Sequence, residues 1–580
     1  MKYTYVTDNS LLPSIAQGIS SATVISTDTE TTGFSPLSAK VRLWSINTGK
    51  NVYVIDCFRC GNLDVVIRAA RDSKAVWVLQ NAKFDAKFTL YQWSLELNNV
   101  FDTFRASNLI YNGKNLKHDL WTLYRRELGI EPTVEDLGGS DWKSDNLTPA
   151  QLDYAADDVI HLPALRLVLR QKLIDLGLVR VAKIEFDAIV PEAAIELAGF
   201  RLDPKPWLEL ADYNAQQEAI YKHILLKELP HPGQASLPGF TPGFNLESPS
   251  QMLASLRLLG VPVDSTNETV LAMAQDEYPI IQTILDHREF AQALKTFGPK
   301  YLDTHISPVT GRVHTSFYPF TGCGRYSSSK PNLQQLPRKK EFRKCFAAPT
   351  GKCLVICDFS QVELRVAAEI SGDQKLMGVY QRNEDAHSQT AALVSGCDPK
   401  DVTKGQRSAA KAINFGLIYG MGAAKLPVYA KKGYGVNMSL QEAQTYHHRY
   451  FEAYRGVKKW HRAATSEKAR SSGMTRTIGG RLRYLDPDFY TEFLNTPVQG
   501  SGADGLKAAL RIVYERLRKY RNTARIVHMV HDEIVVECDV GDAPAIEIEL
   551  RDGMVEGMQQ FLTRVPVIAE VGSGPTWAEK

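Results

Sequence analysis

Cys353 to Cys357 is an uninterrupted apolar run that ends abruptly in Asp358. A short continuous run of this kind predicts a buried strand. The turn Phe359-Ser360-Gln361 follows, and then Val362, Val366, Ala367 and Ile370 recur at helical spacing. The pattern sets Asp358 at a strand exit and Glu363 one helical turn beyond it. Alone, Asp358 reads equally well as a cap for the next helix. A second apolar stretch, Ile526 to Glu537, is interrupted by His531-Asp532-Glu533. It predicts a hairpin with acidic residues at the turn. Two such elements presenting Asp358 and Asp532 to one point would hold a pair of divalent cations.

Gln406 to Gly422 has a helical pattern in which Arg407, Lys411, Phe415 and Tyr419 fall four residues apart. Each step of four advances a helix by about 40° beyond a full turn, so they form one slowly winding stripe roughly 18 Å long. Two cations followed by two rings suit a nucleoside triphosphate, charges to phosphates and rings to sugar and base. The plainer reading is a solvated basic end and a buried aromatic end. It leaves Gly416 unexplained, a mid-helix glycine that costs about 1 kcal/mol against alanine.

In the N-terminal third, Ala22 to Glu30 reads as a strand whose alternation places Asp28 and Glu30 on one face. Further strands are predicted at Val41 to Ile46, Val52 to Ile55 and Val76 to Leu79, the last followed by a helix that opens near Asp85. Thr148 to Asp175 reads as one long helix, started by a capping threonine with proline behind it. On it Tyr154 and Asp158 share a face. Asp28, Glu30, Asp85 and Asp158 thus lie on three elements. Each alone reads as a surface charge; converging, they would repel unless divalent metals neutralised them.

Glu185 to Asp203 reads as an amphipathic helix stopped at Gly199, and Pro204 to Leu229 as another. Pro230 to Gly243, with four prolines and three glycines, reads as a loop before a helix that begins near Phe244 to Ser248. Arg338 to Lys344 is a dense basic run, read as a solvated loop or as a contact to a nucleic-acid backbone.

The chain has 580 residues, enough for several domains, and an ordinary globular composition. Its net charge of +3 means that any binding of a polyanion must rest on local clusters. No apolar run is long enough for a membrane helix, and the start lacks the apolar core of a secretory signal. Eight cysteines in this length read as reduced cytosolic thiols. Cys57 and Cys60 form a lone CxxC without the second pair that a zinc site needs.

The segments DFSQVELR, RSAAKAINFGLIYG and VHDEIVVE resemble motifs A, B and C of family A (DNA polymerase I-like) DNA polymerases, in the family's order. DTET, NAKFD and YAADD resemble the three motifs of DEDDy-type 3′→5′ exonucleases. The resemblance implies an α/β plus α+β multidomain chain. A ribonuclease-H-like exonuclease domain (1–183) would precede a right-hand polymerase domain (184–580). The latter would divide into thumb (about 184–300), palm (about 301–380 and 486–580) and fingers (about 381–485). The chain begins directly with the exonuclease-like part, an organisation similar to phage or replicative relatives. No large thumb insertion for a processivity partner is visible.

By the same resemblance, Asp358, the Phe359 backbone and Asp532 would hold two Mg²⁺ ions, with Mn²⁺ as a substitute and Glu533 as an accessory. Arg407, Lys411 and His387 would meet the triphosphate of a dNTP, and Lys411 would protonate the leaving pyrophosphate. Phe415 would lie by the sugar and Tyr419 near the templating position. Glu363 and Gln361 complete the nucleotide site. Arg325, Asn495, Gln499 and His531 would face primer–template DNA, although Thr491 stands where the family often has arginine. Asp28, Glu30, Asp85 and Asp158 would bind the exonuclease metals, and Tyr154 would orient the attacking water. The implied protein is a cytoplasmic, monomeric replicative enzyme with no membrane partner. Rival readings are a repair-type polymerase, a nuclease whose C-terminal part only grips DNA, an inactive DNA-binding protein, and a single-subunit RNA polymerase. Glu363 speaks against the last, since it would clash with a ribose 2′-hydroxyl.

Overall fold

The structure, a computed structural model, describes residues 3–132, 134–231 and 244–579. The expected loop from Pro230 to Gly243 lies largely outside the described residues.

In the N-terminal part, β1 (Thr4–Val6), β2 (Val24–Thr31), β3 (Val41–Asn47), β4 (Val52–Asp56), β5 (Val76–Leu79) and β6 (Val100–Asp102) form one sheet in the order β1-β4-β3-β2-β5-β6. β2, β3 and β4 are antiparallel neighbours, whereas β5, β6 and β1 join in parallel. Alternating side chains feed cores on both faces. Ile25, Trp44, Ile46, Trp77 and Leu79 belong to one, with Phe88 of α1 (Lys83–Trp93). Leu43 and Val54 belong to another, with Ala155 and Ala156 of α2 (Pro149–Ile160). The sheet is therefore covered on both sides, the ribonuclease-H-like layering expected. Thr148 caps α2 through a reciprocal bond pair with Gln151. The expected single helix to Asp175 is broken at His161, and α3 (Leu162–Asp175) starts anew. Pro163, in the first turn of α3, has no N–H for an uninterrupted ladder.

The expected helix from Glu185 to Asp203 is likewise two pieces. α4 (Val179–Asp187) and α5 (Ile189–Ala198) meet at Ala188, three residues before Pro191. Gly199, with φ +61°, stops α5, and Phe200 and Leu202 then bridge to Val313 and Phe346. These helices bury Glu185 and Glu192 completely, although Lys183 and Asp187 of α4 face water. Arg105, from the N-terminal part, donates to Glu192 at 3.0 Å and to Glu185 at 3.4 Å. Arg481 also bonds Glu185 and lies 2.7 Å from Asp504, while Lys507 reaches Glu185 at 2.5 Å. The Tyr326 hydroxyl donates to Glu192 at 2.6 Å. Burial of such charges is tolerated only because every one has partners.

α6 (Pro204–Glu228) packs along α8 (Pro279–Phe297), with α7 (Glu268–Ala274) between them in sequence. Trp207 at the base stacks on Tyr301, 4.8 Å between centroids. The second sheet comprises β7 (Lys352–Phe359), β8 (Ala524–Val530), β9 (Glu533–Asp539) and β10 (Ala569–Gly574), all antiparallel in the order β8-β9-β7-β10. One face, with Val355, Cys357, Ile534 and Val536, packs on α9 (Val362–Ser371), α13 (Glu492–Leu517) and α14 (Ala543–Gln559). The other, with Leu354, Ile356 and Val535, packs on Phe200, Phe346 and Trp577. Between the sheet strands in sequence lie α10 (Ala386–Ser395), α11 (Lys404–Ile418) and α12 (Leu426–Tyr434). Lys431 of α12 pairs with Asp276 beyond α7 at 2.7 Å, and Asn437 donates to the same carboxylate at 2.9 Å. The basic run at 338–344 is not a loop throughout: Lys340–Lys344 is a short helix that buries Phe342. All eight cysteines are free thiols. Among the described residues no helix is long and apolar enough to cross a membrane.

Glu185→Ala would leave Arg481 and Lys507 buried without the carboxylate they share. Breaking a buried pair costs about 3–5 kcal/mol, so the urea midpoint of the chain should fall accordingly. Burial alone would raise the Glu185 carboxyl, but Lys507, Arg481 and Arg105 hold it from 4.5 down to about 2. Its contribution is therefore complete above about pH 4.5 and is lost as pH falls toward 2. Acid titrations of wild type and variant should converge in that window.

Candidate active sites

In the first sheet, period-two alternation turns Asp28 and Glu30 of β2 to one face, opposite Ser45 and Leu43 of β3. α2 crosses that face and adds Asp158. One ligand atom each from Asp28, Glu30 and Asp158 lie within 4.8 Å of one another. Asp85, in the first turn of α1, is buried beside them and accepts 2.7 Å from the Thr29 hydroxyl. The four carboxylates and Tyr154 line one cavity of about 800 Å³.

Burial pushes Asp28 up to about 6. Burial and then mutual repulsion push Glu30, Asp85 and Asp158 well above the usual carboxylate range. The donor set, all hard oxygens at one point, fits divalent cations such as magnesium or manganese. The Tyr154 hydroxyl bonds Asp158 and is kept protonated by burial and the surrounding acids. Its ring stands 6.4 Å from Trp121 and 6.3 Å from Trp142. Asp157, the adjacent acid, faces His161 instead.

Two contributors escaped the sequence reading. Asp136 lines the same cavity and its charge acts on Glu30, Tyr154 and Asp158. Gly138 lets its loop approach closely, since a Cβ there would lie 3.2 Å from the Tyr154 hydroxyl. The loop has no periodicity, so nothing in the sequence could have brought it here.

In the second sheet, Asp358 ends β7 and Asp532 lies in the turn between β8 and β9, where His531 adopts φ +54°. The Phe359 N–H donates 3.2 Å to the Asp532 carbonyl, which ties the two strand ends together. Burial pushes Asp532 up to about 6, with Glu533 and Glu363 adding to it and Arg325 opposing. Glu533 is not in the turn but opens β9, directly across from Asp358. Its carboxylate accepts from Trp577 Nε1 at 2.5 Å and from Arg343 at 3.3 Å, so both oxygens are engaged. Glu570 of β10 flanks Asp358 on the other side. It was missed because its strand, AEVGSG, has little apolar character.

Glu363, in the first turn of α9, joins three predicted residues: Arg325 bonds one oxygen, the Tyr419 hydroxyl the other, and Gln499 bonds Tyr419. His531 lies in the field of Arg338, Arg325 and Glu363. Gln361 adopts φ +53° and accepts 3.2 Å from Tyr380, turned from this group. Asn495 Oδ1 is buried without a hydrogen-bond partner.

α11 carries Arg407, Lys411 and Phe415, and Tyr419 sits just past it as its C-cap. Arg407 is held by Asp385 at 2.7 and 3.2 Å. His387 is buried, lies 3.1 Å from Asn414 Nδ2 and packs 5.8 Å from the Phe415 ring. Burial lowers it to about 4, so it is neutral at physiological pH. Gly416 also gains its reason: a Cβ would meet Leu426 Cδ1 and Met421 Sδ at 3.2 Å.

Residues 235–579 match the model of DNA polymerase family A, and residues 3–174 that of a 3′–5′ exonuclease. DNA polymerase I of Aquifex aeolicus is 33% identical over 600 aligned residues, covering all of both chains. DNA polymerase I of Pseudomonas aeruginosa is 31% identical over all of this chain and 66% of its own length. The thermostable DNA polymerase I of Thermus aquaticus is 34% identical over 66% of this chain and 46% of its own length. The chain thus spans the whole of the first relative but two thirds or less of the other two. A solved structure of the POL domain of Pol1 from M. smegmatis, in complex with DNA primer-template and dNTP, shares the fold. Its TM-score is 0.83 at 24% identity, over 99% of both chains.

Crowded carboxylates make the first site costly without metal. In EDTA, stability should fall as pH rises from 3.8 to about 6, because the folded state holds the Asp28 proton more tightly than the unfolded chain. Mn²⁺ should reverse that loss. Asp158→Asn removes one buried charge, so it should stabilise the metal-free chain by about 1–2 kcal/mol. It should also shrink the Mn²⁺-induced rise in melting temperature. Differential scanning fluorimetry checks both signs; a variant destabilised in EDTA would contradict the repulsion.

Proposed function

The chain belongs to DNA polymerase family A, and from that premise we propose how its residues divide two reactions between two sites. The protein is a DNA-directed DNA polymerase with a 3′→5′ exonuclease. The observation that carries the division is the placement of two separate acidic centres on two separate sheets. Asp28, Glu30 and Asp158 converge on the first, and Asp358 and Asp532 end adjoining strands of the second. The exonuclease centre belongs to residues 1–183. Residues 184–580 carry the polymerase, with thumb, palm and fingers divided as the sequence suggests.

Two divalent cations at each centre, Mg²⁺ with Mn²⁺ as substitute, would supply Lewis-acid activation of the attacking oxygen and neutralise charge on phosphate. In the polymerase, Asp358, Asp532 and the Phe359 carbonyl would hold them. Arg407 would exchange Asp385 for the triphosphate of an incoming dNTP, with Lys411 and His387 beside it. Lys411 would give the leaving pyrophosphate its proton. Glu363 would stand under the sugar, where it obstructs a ribose 2′-hydroxyl; this and the matched family favour DNA synthesis over RNA synthesis. Arg325, Asn495, Gln499 and His531 would contact the primer–template, an arginine in the minor groove testing pair shape rather than sequence. Both oxygens of Glu533 are engaged, which supports a role in fixing the turn that presents Asp532.

In the exonuclease, Asp28, Glu30, Asp85 and Asp158 would bind the cations, and the Tyr154 hydroxyl would orient the attacking water. Positioning and electrostatics dominate both reactions. The reading extends to a monomeric enzyme of the cytoplasm that replicates DNA and removes mispaired 3′ ends.

Asp358→Ala or Asp532→Ala should abolish primer extension and leave 3′ degradation. Asp28→Ala with Glu30→Ala should do the reverse. Extension with dNTPs and shortening without them, on one labelled primer, reads both; loss of both activities in a folded single-site variant would sink the division.

Phe415 lies between Lys411 and Tyr419, and family members with phenylalanine here discriminate against dideoxynucleotides. Phe415→Tyr adds a hydroxyl where the missing 3′-hydroxyl would be. A hydrogen bond to a charged group contributes about 1.5–3 kcal/mol, or roughly 10–150-fold in the ddNTP/dNTP incorporation ratio. An unchanged ratio would place the ring away from the sugar.

A further inference from the structure

We propose that Phe489 and Tyr490 form a stacking platform for the unpaired template bases just ahead of the nucleotide-pairing site. The inference rests on the polymerase reading above.

Phe489 is 57% exposed and Tyr490 42%, side by side in the loop that leads into α13. Single exposed aromatics are ordinary, but this pair is presented on a fixed backbone. Phe489 N–H donates to the Asp486 carbonyl at 3.0 Å, Tyr490 N–H to that of Asp488 at 2.9 Å, and Glu492 N–H to that of Phe489 at 3.0 Å. Arg470 donates to the Pro487 carbonyl at 3.3 Å from outside the loop. A platform held in this way gives up little freedom when a base settles on it.

Its position singles out the ligand. Gly420, the residue after Tyr419, adopts φ +76°; a Cβ there would meet Leu494 Cδ1 at 2.7 Å and Tyr490 Cε1 at 3.2 Å. The Tyr490 ring therefore lies flush against the backbone that leaves the pairing site. Asn495 and Gln499 continue along α13 behind it, and Gln499 reaches Tyr419 itself. A template strand emerging beyond Tyr419 would cross these rings first. Asp486 and Asp488 in the same loop disfavour phosphate, which leaves the faces of the bases as the matching surface. Aromatic stacking tolerates every base, as a template contact must. Thr491 stands where the family often has arginine, so no guanidinium from that position competes with the rings for the strand.

The experiment compares two duplexes of equal length in EDTA by fluorescence anisotropy, one blunt and one with a 5′ template overhang. Wild type should prefer the overhang. Phe489→Ala with Tyr490→Ala should weaken overhang binding roughly tenfold or more and leave blunt-duplex binding unchanged. Phe489→Tyr with Tyr490→Phe should keep the preference. 2-Aminopurine at the first unpaired template position should be quenched by wild type and brighter with the alanine variant. An unchanged overhang preference, or an equal loss on both duplexes, overturns the platform. Primer extension by wild type separates the two readings: without extension the polymerase reading fails, whereas extension with unaltered overhang binding removes the platform alone.

Discussion

Like charges held close together out of water are the constraint around which both halves of this chain are built. A carboxylate buried beside another carboxylate resists ionisation, and only rigid elements can keep several of them aimed at one point. The chain meets that demand chiefly with strands, helical turns and a tight hairpin. Asp28 and Glu30 ride a central strand, Asp158 a capped helix, and Asp358 the end of a strand covered on both faces. Neutral donors steady individual members: Thr29 for Asp85, Tyr154 for Asp158 and Trp577 for Glu533.

The two centres handle charge differently. Around the first, acids accumulate with few cations among them. Around the second, cations are already paired. Arg407 is closed on Asp385, and Arg325 shares Glu363 with Tyr419. On the proposed reading, a triphosphate entering there would exchange partners with groups that are in place, so its net gain would be the difference between the new contacts and the old. Such a site would discriminate by competition: an anion too weak to displace Asp385 would leave the pair closed.

What the sequence revealed follows the same physics. Buried strands such as Val76 to Leu79 and Cys353 to Cys357 are continuous apolar runs, and each stands where its run predicts. Strand alternation made it legible that Asp28 and Glu30 share a face, and the four-residue helical step did the same for Tyr154 and Asp158; their convergence was implied only by the family resemblance. Breaks were less legible. Periodicity passes smoothly through His161 and Ala188, and only the prolines two or three residues later mark where the ladder stops. At Glu533 adjacency to Asp532 concealed that the residue opens β9, where Asp358, far away in sequence, lies directly opposite it. Glu570 and Asp136 belong to segments with no pattern, and their places follow from register and loop packing alone. In the run from Arg338 to Lys344, dense charge concealed the buried Phe342.

The buried ions between the two halves carry a consequence for how such a chain can be inherited. Arg105 comes from the first half, Glu185 and Glu192 from the helices between, and Arg481 and Lys507 from the second. The halves are therefore not interchangeable cassettes joined by a tether. A recombination event that replaced the first 174 residues would have to deliver a guanidinium at the position of Arg105, or strand Glu192 with only a tyrosine hydroxyl for company. Descent should keep these five residues together as one unit, even where the catalytic surfaces on either side diverge.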